Sequence, residues 1–210
     1  MKIVITGGII IGKRGTLQGF DVVIEDGTIY DICQPQIWAE AVTYDVEGAY
    51  IMPGILDINT GVPQGFSQRE LVMWGVTASF NLAQSRVRKL KNTKLIPVKE
   101  IYENIFSVKS QMENSVVVSD GCPQNLLQSI FFLHSACGMD LCEAVAMYTT
   151  HPAKAAGVHK ELGSVEKGKR ADLLILRKDY RDRPQIEKVF IKGNCIFQYE
   201  MPQKNRTIVM

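Results

Sequence analysis

The chain has 210 residues, of which 46% are hydrophobic and 22% charged, and its formal net charge is +2. This composition can supply one sizeable hydrophobic core or two small ones. Its 24 basic and 22 acidic side chains are mixed along the whole length, so we expect no nucleic-acid partner. No window approaches the roughly 18 consecutive apolar residues that a membrane span needs, and we expect no membrane association.

The cysteines indicate a reducing environment. Their number is odd, they are scattered, and they show no C-x-x-C spacing; they are Cys33, Cys122, Cys137, Cys142 and Cys195. Free thiols fit this pattern better than a disulfide framework or a zinc knuckle. The expected location is therefore cytoplasmic.

The first part of the chain, from Met1 to about Pro53, consists of short strand-like runs separated by glycine turns. "KIVITGGIII" predicts a hairpin around Gly7-Gly8. "FDVVIEDGTIYDIC" predicts a second hairpin, because Asp26-Gly27 supplies the positive backbone angles of a tight two-residue turn. "TYDVEGAYIMPGI" adds a strand with a glycine turn at Gly48. Strands this close together favour a small sandwich or barrel.

The central part, from Gly54 to about Val158, alternates between strand and helix patterns. "GILDI", "GVTASFNL" and "NSVVVSDG" are apolar runs of strand length, and the run Val116–Val118 is apolar on both faces, as in a buried parallel strand. "PQNLLQSIFFLHSAC" and "DLCEAVAMYTTHPAKAAGV" then predict two helices, the second opening at an Asp140 cap. This alternation indicates a parallel α/β layer.

Strand patterns return from Gly163, and "IEKVFIKGNCIFQYE" predicts a hairpin around Gly193-Asn194. The predicted fold is therefore α/β plus all-β. A composite β-sandwich is expected from residues 1–53 and 159–200, an incomplete (β/α) barrel-like layer from residues 54–158, and a tail from residues 201–210.

Several separated stretches carry a family resemblance. "EGAYIMPGILDINTG" resembles the segment of the amidohydrolase superfamily in which the sandwich leads into the first barrel strand, usually ending in Asp-x-His-x-His. "VIEDGTI", "TTHPAKAAGV", "ELGSVEKGKRADLLIL" and "KVFIKGNCI" are similar to other segments of that superfamily. Within it, "VVVSDGCPQNLLQSIFFL" with the helix that follows is most similar to the ribose-methylphosphonate triphosphate diphosphatases of phosphonate degradation.

The resemblance implies a (β/α)8 barrel with one or two divalent metals, such as Zn, Mn or Fe, at the carboxyl ends of its strands. Such a metal lowers the pKa of bound water and polarises the bond under attack. Asp120 matches the family's last-strand Asp, which would bind the metal and take a proton from the attacking water. The alternative for Asp120 is a helix cap or turn residue before Pro123.

The sequence departs from the family pattern where the first metal ligands should stand. Asn59 and Gly61 replace the two histidines, and neither is a good ligand for zinc. Of the three histidines, His134 is predicted to lie in a core or interface, and His151 takes the place of a polar helix cap. The third, His159, falls in a loop, and Asp57 is expected to serve a turn or a cap.

The length of the central part also indicates an incomplete barrel. A full barrel takes about 250 residues, whereas the central part leaves room for about three strands and four helices, so the middle of the barrel is predicted to be missing. Unpaired strand edges in such a layer need cover. We therefore expect a homo-oligomer that covers the edges of "GILDI", "GVTASFNL" or "NSVVVSD".

Two functions remain open. The first is a metal-dependent hydrolase acting on a C–N or phosphoanhydride bond of a small-molecule substrate, with a reduced ligand set or with ligands from another subunit. The second is a non-catalytic remnant without a cofactor, acting as a scaffold or partner-binding protein. A P-loop is disfavoured, because Gly12-Lys13 is followed by Arg14 where Ser or Thr is needed.

Overall fold

The structure is a computed structural model that describes residues 1–58, 66–80, 93–103, 115–179 and 181–199. The strands within these ranges are β1 Lys2–Thr6, β2 Ile9–Ile11, β3 Thr16–Leu17, β4 Asp21–Glu25, β5 Thr28–Cys33, β6 Val42–Asp45, β7 Tyr50–Pro53, β8 Ile55–Asp57, β9 Val76–Ser79, β10 Leu95–Pro97, β11 Val116–Val118, β12 Leu173–Lys178, β13 Pro184–Ile191 and β14 Asn194–Gln198. The helices are α1 Gln68–Met73, α2 Val98–Glu103, α3 Leu126–Cys137, α4 Leu141–Ala146 and α5 Thr150–Ala155, and a 3₁₀ turn spans Pro123–Asn125. The predicted tail, residues 201–210, lies outside the described residues.

Both ends of the chain contribute to one large sheet. A six-stranded sheet has the order β14-β13-β12-β7-β2-β3, and a four-stranded sheet has the order β5-β4-β1-β6. The two sheets share a cluster of buried side chains that includes Ile5 and Ile24 from the smaller sheet and Ile51, Ile175 and Phe190 from the larger one. The ends of the chain therefore meet in β structure, with an α/β segment between them.

The hairpin predicted around Gly7-Gly8 is wrong. Strand β1 pairs with β4 and β6, whereas β2 belongs to the other sheet and pairs with β3 and β7. The two glycines carry the chain from one sheet to the other, and a Cβ on Gly8 would lie 2.6 Å from the Ile51 side chain. A local glycine pair cannot distinguish this crossing from a turn, because the strand partners come later in the sequence.

The other two predicted hairpins are present. Asp26 and Gly27 have φ values of 48° and 79° between β4 and β5, the signs that a type I′ turn requires. Strands β13 and β14 also form a hairpin, although the residues with positive φ are Lys192 and Gly193, one position earlier than expected. Short polar turns between two alternating runs were thus read correctly from the sequence.

The described part of the central segment contains four short strands, where about three were expected. Strand β8 pairs with β9, and β10 pairs with β11, both in parallel. All three residues of β11 are buried, as predicted for a buried parallel strand. Strand β10 was missed, because "LIP" is only three residues long and ends in proline. Within the described ranges the four strands form two separate pairs and no closed barrel.

The last predicted helix is divided in two. Asp140 caps the first piece as expected, because its side chain accepts hydrogen bonds from the backbone N–H groups of Cys142 and Glu143. The helix then breaks between α4 and α5. The carbonyl of Met147 accepts from the Val117 N–H at 3.1 Å, and the carbonyl of Tyr148 accepts from the Leu56 N–H at 2.9 Å. The break therefore supplies backbone acceptors to β11 and β8, one strand from each pair.

The helices pack on the other face of the six-stranded sheet. Met52, Leu174 and Leu176 on that face share a buried cluster with Leu127 and Ile130 of α3. The strand pairs also pack on this cluster, which fixes their position relative to the six-stranded sheet. Among the described residues, no helix has both the length and the apolar character needed to cross a membrane.

Candidate functional site

The carboxyl ends of the two parallel pairs meet at Asp57. This residue ends β8 and is 2% exposed, and its Oδ1 accepts a hydrogen bond from the backbone N–H of Ser119 at 3.3 Å. Ser119 directly follows β11. Ile58, Val116 and Val118 form a buried cluster between the same two strands. We call the polar residues at this meeting point, Asp57, Ser79 and Ser119, the strand-end cluster.

Two hydroxyl groups complete the strand-end cluster. Ser79 ends β9 and is the register partner of Asp57 in the parallel ladder, so the two side chains lie on the same face. Ser119 is 0% exposed. The Oγ atoms of Ser79 and Ser119 are buried and have no hydrogen-bond partner among the described residues. The strand-end cluster therefore places a buried carboxylate beside two buried hydroxyls.

Asp120 lies at the surface, one residue beyond the strand-end cluster. It has a positive φ of 43°, and Gly121 follows with a φ of 83°, so the chain turns sharply after β11. Its side chain is 41% exposed, and Oδ2 lies 3.5 Å from the Lys99 Nζ of α2. The residue that the resemblance matched to a metal ligand and proton acceptor thus forms an exposed ion pair in a turn.

His151 binds the backbone at the start of β11. Its Nδ1 lies 2.7 Å from the carbonyl oxygen of Ser115. A carbonyl can only accept, so Nδ1 carries the proton and donates it. Burial lowers the pKa of the His151 ring, and the hydrogen bond to Ser115 opposes this effect only in part. The prediction that His151 serves as a polar helix cap is therefore wrong, because the ring donates to the backbone before β11, 36 residues earlier in the chain.

The prediction that His134 lies in a core is wrong, whereas its alternative, an interface, stays a prediction. The residue is exposed in the last turn of α3, and its Nδ1 lies 2.8 Å from the carbonyl oxygen of Met139. Apolar neighbours at helical spacing suggested burial, but the ring bonds a carbonyl beyond the turn at Gly138, where the helix has ended. His159 is exposed in a loop, as predicted.

The donors that the structure describes do not fit the divalent metal that the resemblance implies. Asp57 accepts a hydrogen bond from the Ser119 N–H, Asp120 forms an ion pair with Lys99, and His151 donates to a backbone carbonyl. Within the described ranges, no group of three or more His, Cys, Asp or Glu side chains could hold a metal ion. Asn59, predicted as a degenerate ligand position, lies outside the described residues, as does Gly61.

The residue that sequence reasoning undervalued is Asp57. It was expected to cap a local turn, whereas it joins two strands that are 62 residues apart. The available signal was the position of an acid at the end of an apolar strand, combined with a second apolar strand ending in Ser119. Carboxyl ends of parallel strands share one edge of a layer, so such residues tend to come together.

A cavity of about 560 Å³ lies away from the strand ends, where the chain crosses between the two large sheets. Backbone of Gly7, Gly19 and Gly48 lines it together with the carboxylates of Asp45 and Glu47. The Asp45 Oδ1 already accepts from the Glu47 N–H at 3.0 Å. The residues that line this cavity include no histidine, cysteine, lysine or arginine.

Comparison with curated proteins gives partial matches. The chain is 29% identical over 119 residues to a dihydroorotase of Caldanaerobacter subterraneus, covering 56% of this chain and 28% of that protein. It is 33% identical over 93 residues to an adenine deaminase of Ruegeria pomeroyi, covering 44% and 14%. An N-substituted formamide deformylase of Arthrobacter pascens is 57% identical over 65 residues, covering 28% and 12%. The chain spans no more than 28% of the length of these relatives.

Solved structures resemble the fold over most of the chain. The N-acetylglucosamine-6-phosphate deacetylase of Pasteurella multocida matches with a TM-score of 0.73 at 13% identity, covering 93% of this chain and 99% of that one. An enamidase described as a member of the amidohydrolase superfamily matches with a TM-score of 0.71 at 14% identity, covering 94% and 96%. An adenosine deaminase of Xanthomonas campestris with bound zinc gives 0.61 at 10%, covering 95% and 94%. At these identities the likeness concerns the fold alone.

The sequence model of the amidohydrolase family matches residues 51–210, from the last strand before the central segment to the end of the chain. This match covers more than half of the chain and includes the strand-end cluster. It also includes the break between α4 and α5 and the strands of the returning sheet. The chain therefore belongs to the amidohydrolase family.

Proposed function

We propose that this chain keeps the amidohydrolase fold without the family's metal chemistry, and that it acts by binding a partner or a second copy of itself. One observation carries the proposal: Asp120, the residue at the family's last-strand position, faces solvent and pairs with Lys99 at 3.5 Å. An exposed carboxylate that is paired with a lysine is poorly suited to share an ion with the buried residues of the strand-end cluster. Asn59 and Gly61 stand in the sequence where imidazole ligands would be needed.

The proposal is tested by the metal content of the purified chain and its Asp120→Asn variant, measured by elemental analysis after chelation and dialysis against Zn²⁺, Mn²⁺ or Fe²⁺. We expect much less than one ion per chain in both proteins. About one ion per chain, lost in Asp120→Asn, would overturn the proposal. An Asp31→Asn variant is the matched control, because Asp31 also pairs with a lysine at the surface, Lys167, far from the strand ends.

The alternative is a metal-dependent hydrolase, and the strand-end cluster is the observation that favours it. Asp57 is a buried carboxylate at a strand end, beside two buried hydroxyls that have no partner among the described residues. On this alternative a second subunit would supply the missing ligands. The relatives' names include a deaminase and a deformylase, so a C–N bond of a small molecule is the first substrate class to screen. The phosphoanhydride substrate suggested by the resemblance of residues 115–158 to phosphonate-pathway enzymes comes second.

The remaining features of the proposal concern organisation and environment. We infer two units, a composite β-sandwich from residues 1–53 and 159–200 and a shortened barrel segment from residues 54–158. The side chains shared by the two large sheets support the first unit. All five cysteines are free thiols, which supports a cytoplasmic location. A homo-oligomer is part of the proposal, because the short parallel pairs leave strand edges that need cover.

A further inference from the structure

The four central strands lie side by side as one layer of two hydrogen-bonded pairs, joined between β8 and β11 by the helix break. Asp57 joins the end of β8 to the residue after β11, and the adjacent carbonyls of Met147 and Tyr148 accept hydrogen bonds from β11 and β8. Helix α5 also packs against both strands. The order across the layer is therefore β9, β8, β11, β10. Because the carboxyl ends of β8 and β11 lie together, all four strands run in the same direction.

Among the described residues, both outer edges of this layer carry backbone groups without a hydrogen-bond partner. The Phe80 N–H donates to the Asp57 carbonyl at 2.8 Å, so in a parallel ladder the N–H and carbonyl of Ser79 turn away from β8. The Val116 N–H donates to the Lys94 carbonyl at 2.9 Å, so the N–H and carbonyl of Leu95 turn away from β11. No described strand pairs with either edge.

The helices beside these edges carry matching surface groups. Among the described residues of the central segment, the exposed large apolar side chains are Met73 on α1, which precedes β9, and Tyr102 on α2, which follows β10. The same helices carry charges of opposite sign, Arg69 on α1 and Glu103 on α2, both exposed and neither in an ion pair with another described residue. One edge of the layer is therefore complementary to the other in apolar character and in charge.

We propose that two copies of this chain join their layers into one eight-stranded parallel barrel. A two-fold axis along the barrel places β9 of each copy beside β10 of the other, so all eight strands remain parallel and the outer edges of both copies are paired. Between β8 and β11 of each copy, the carbonyls of Met147 and Tyr148 take up the facing N–H groups. Eight strands is also the number at which side chains fill a barrel interior. The inference rests on the proposed function and names its partner: a second copy of the chain.

The strand-end site is incomplete without the second copy. In the shared barrel, Asp57, Ser79 and Ser119 of both copies face one mouth, because carboxyl ends of parallel strands lie at the same end of a barrel. A single chain contributes only half of that rim. Any ligand of the mouth would contact both copies.

The test is the mass of the full chain by size-exclusion chromatography with light scattering at micromolar concentration, for the parent and for Ser79→Pro. Proline removes the outward N–H of Ser79 and leaves the β8 ladder intact. We expect a dimer for the parent and a monomer, or a dimer weakened at least tenfold, for Ser79→Pro. The matched control is Thr16→Pro on the edge strand β3. The Thr16 N–H points away from β2, because Gly12 and Gly15 form the neighbouring hydrogen-bonded pair of this antiparallel ladder. This control should stay dimeric.

Charge exchange provides a second test that does not alter the backbone. Arg69→Glu and Glu103→Arg should each weaken the dimer several-fold, and the double variant should recover the parent affinity. Circular dichroism confirms folding of every variant. A parent that is monomeric, or a dimer that neither Ser79→Pro nor the charge variants affect, would overturn the shared barrel. Metal content on the same samples tests the proposed function separately: a bound ion would overturn that function whatever the mass.

Discussion

The Asp57 carboxylate joins two strands that lie 62 residues apart in the chain. Removing it leaves the Ser119 N–H without this acceptor in a buried site, which costs about 1–3 kcal/mol. We therefore expect Asp57→Ala to lower the free energy of unfolding by that amount, and Asp57→Asn, which keeps an oxygen acceptor, to lower it by less. Urea unfolding followed by circular dichroism measures both.

Asp120→Ala is the control for this prediction. The ion pair between Asp120 and Lys99 is exposed on both sides, at 41% and 62%, and such pairs contribute about 0–1 kcal/mol. Equal losses in Asp57→Ala and Asp120→Ala would show that the Asp57 bond to Ser119 does not hold the strand ends together.

His151 makes the stability of the fold depend on pH. Burial holds the pKa of its ring below the ordinary value of 6.5, so between the two values the unfolded chain binds more protons than the folded one. Stability is therefore full above about pH 6.5 and falls as the pH drops toward the lower pKa of the folded state. Urea midpoints measured between about pH 5 and pH 8 should show this fall.

His151→Asn separates this effect from the other titrating groups. Asparagine keeps a side-chain donor for the Ser115 carbonyl but cannot be protonated in this range, so the pH dependence should be smaller than in the parent. His159→Asn alters an exposed loop residue and should leave the curve unchanged. A parent and a His151→Asn variant with the same pH profile would be evidence against the assignment.

At the scale of elements, a hydrogen bond inside the core ties helix α3 to the helix break. The Tyr148 hydroxyl lies 2.7 Å from the Ser129 Oγ, and Tyr148 is 0% exposed. Burial also raises the pKa of Tyr148, so the hydroxyl keeps its proton. Tyr148→Phe removes this bond and should cost about 1 kcal/mol in the free energy of unfolding.

Tyr102→Phe provides the comparison for that prediction. Its hydroxyl donates a long bond of 3.4 Å to the Asn125 carbonyl and interacts weakly with Ser129, and the residue is exposed. The expected change is within about 0.5 kcal/mol. A Tyr148→Phe variant as stable as the parent would mean that Ser129, which also donates to the Leu126 carbonyl at 2.8 Å, satisfies the site alone.

The elements that the sequence predicted correctly are those with local causes. The Asp26-Gly27 turn, the Asp140 cap and the buried run Val116–Val118 follow from residues within a few positions of one another. The crossing at Gly7-Gly8 and the helix break before Thr149 have distant causes: strand partners far along the chain, and amides of Leu56 and Val117 that need acceptors. No short window contains those partners, so a local pattern could not reveal them.

The predictions for the candidate site also divide into those with local causes and those with distant ones. The sequence located the ends of β8 and β11 and the acids beside them, because an acid after an apolar strand is a local pattern. It could not tell which acid points inward. That depends on the positive φ of Asp120, which turns its side chain toward Lys99, and on the packing that brings Ser119 to Asp57.

At the scale of the whole molecule, the six-stranded sheet lies between two cores. Alternate residues of its strands point to opposite clusters: Leu173 and Ile175 face the cluster shared with the four-stranded sheet, whereas Leu174 and Leu176 face the helices. If one of the two cores unfolds, the apolar face of the sheet that it covered becomes exposed to water, which is unfavourable. The two chain ends and the central segment are thus coupled through the same strands.

This coupling predicts that the chain unfolds in one cooperative transition. The two tryptophans report on different regions: Trp38 lies beside Lys2 and Tyr30 on the four-stranded sheet, and Trp74 packs on Phe66 next to β9. Trp38→Phe keeps Trp74 as its one tryptophan, and Trp74→Phe keeps Trp38. For each variant, the urea curve followed by tryptophan fluorescence should coincide with the curve followed by circular dichroism at the same protein concentration. In either variant, different midpoints by fluorescence and circular dichroism would mean that the central segment unfolds separately from the sheets. Such behaviour is expected of a shortened barrel that is stabilised mainly by its partner copy.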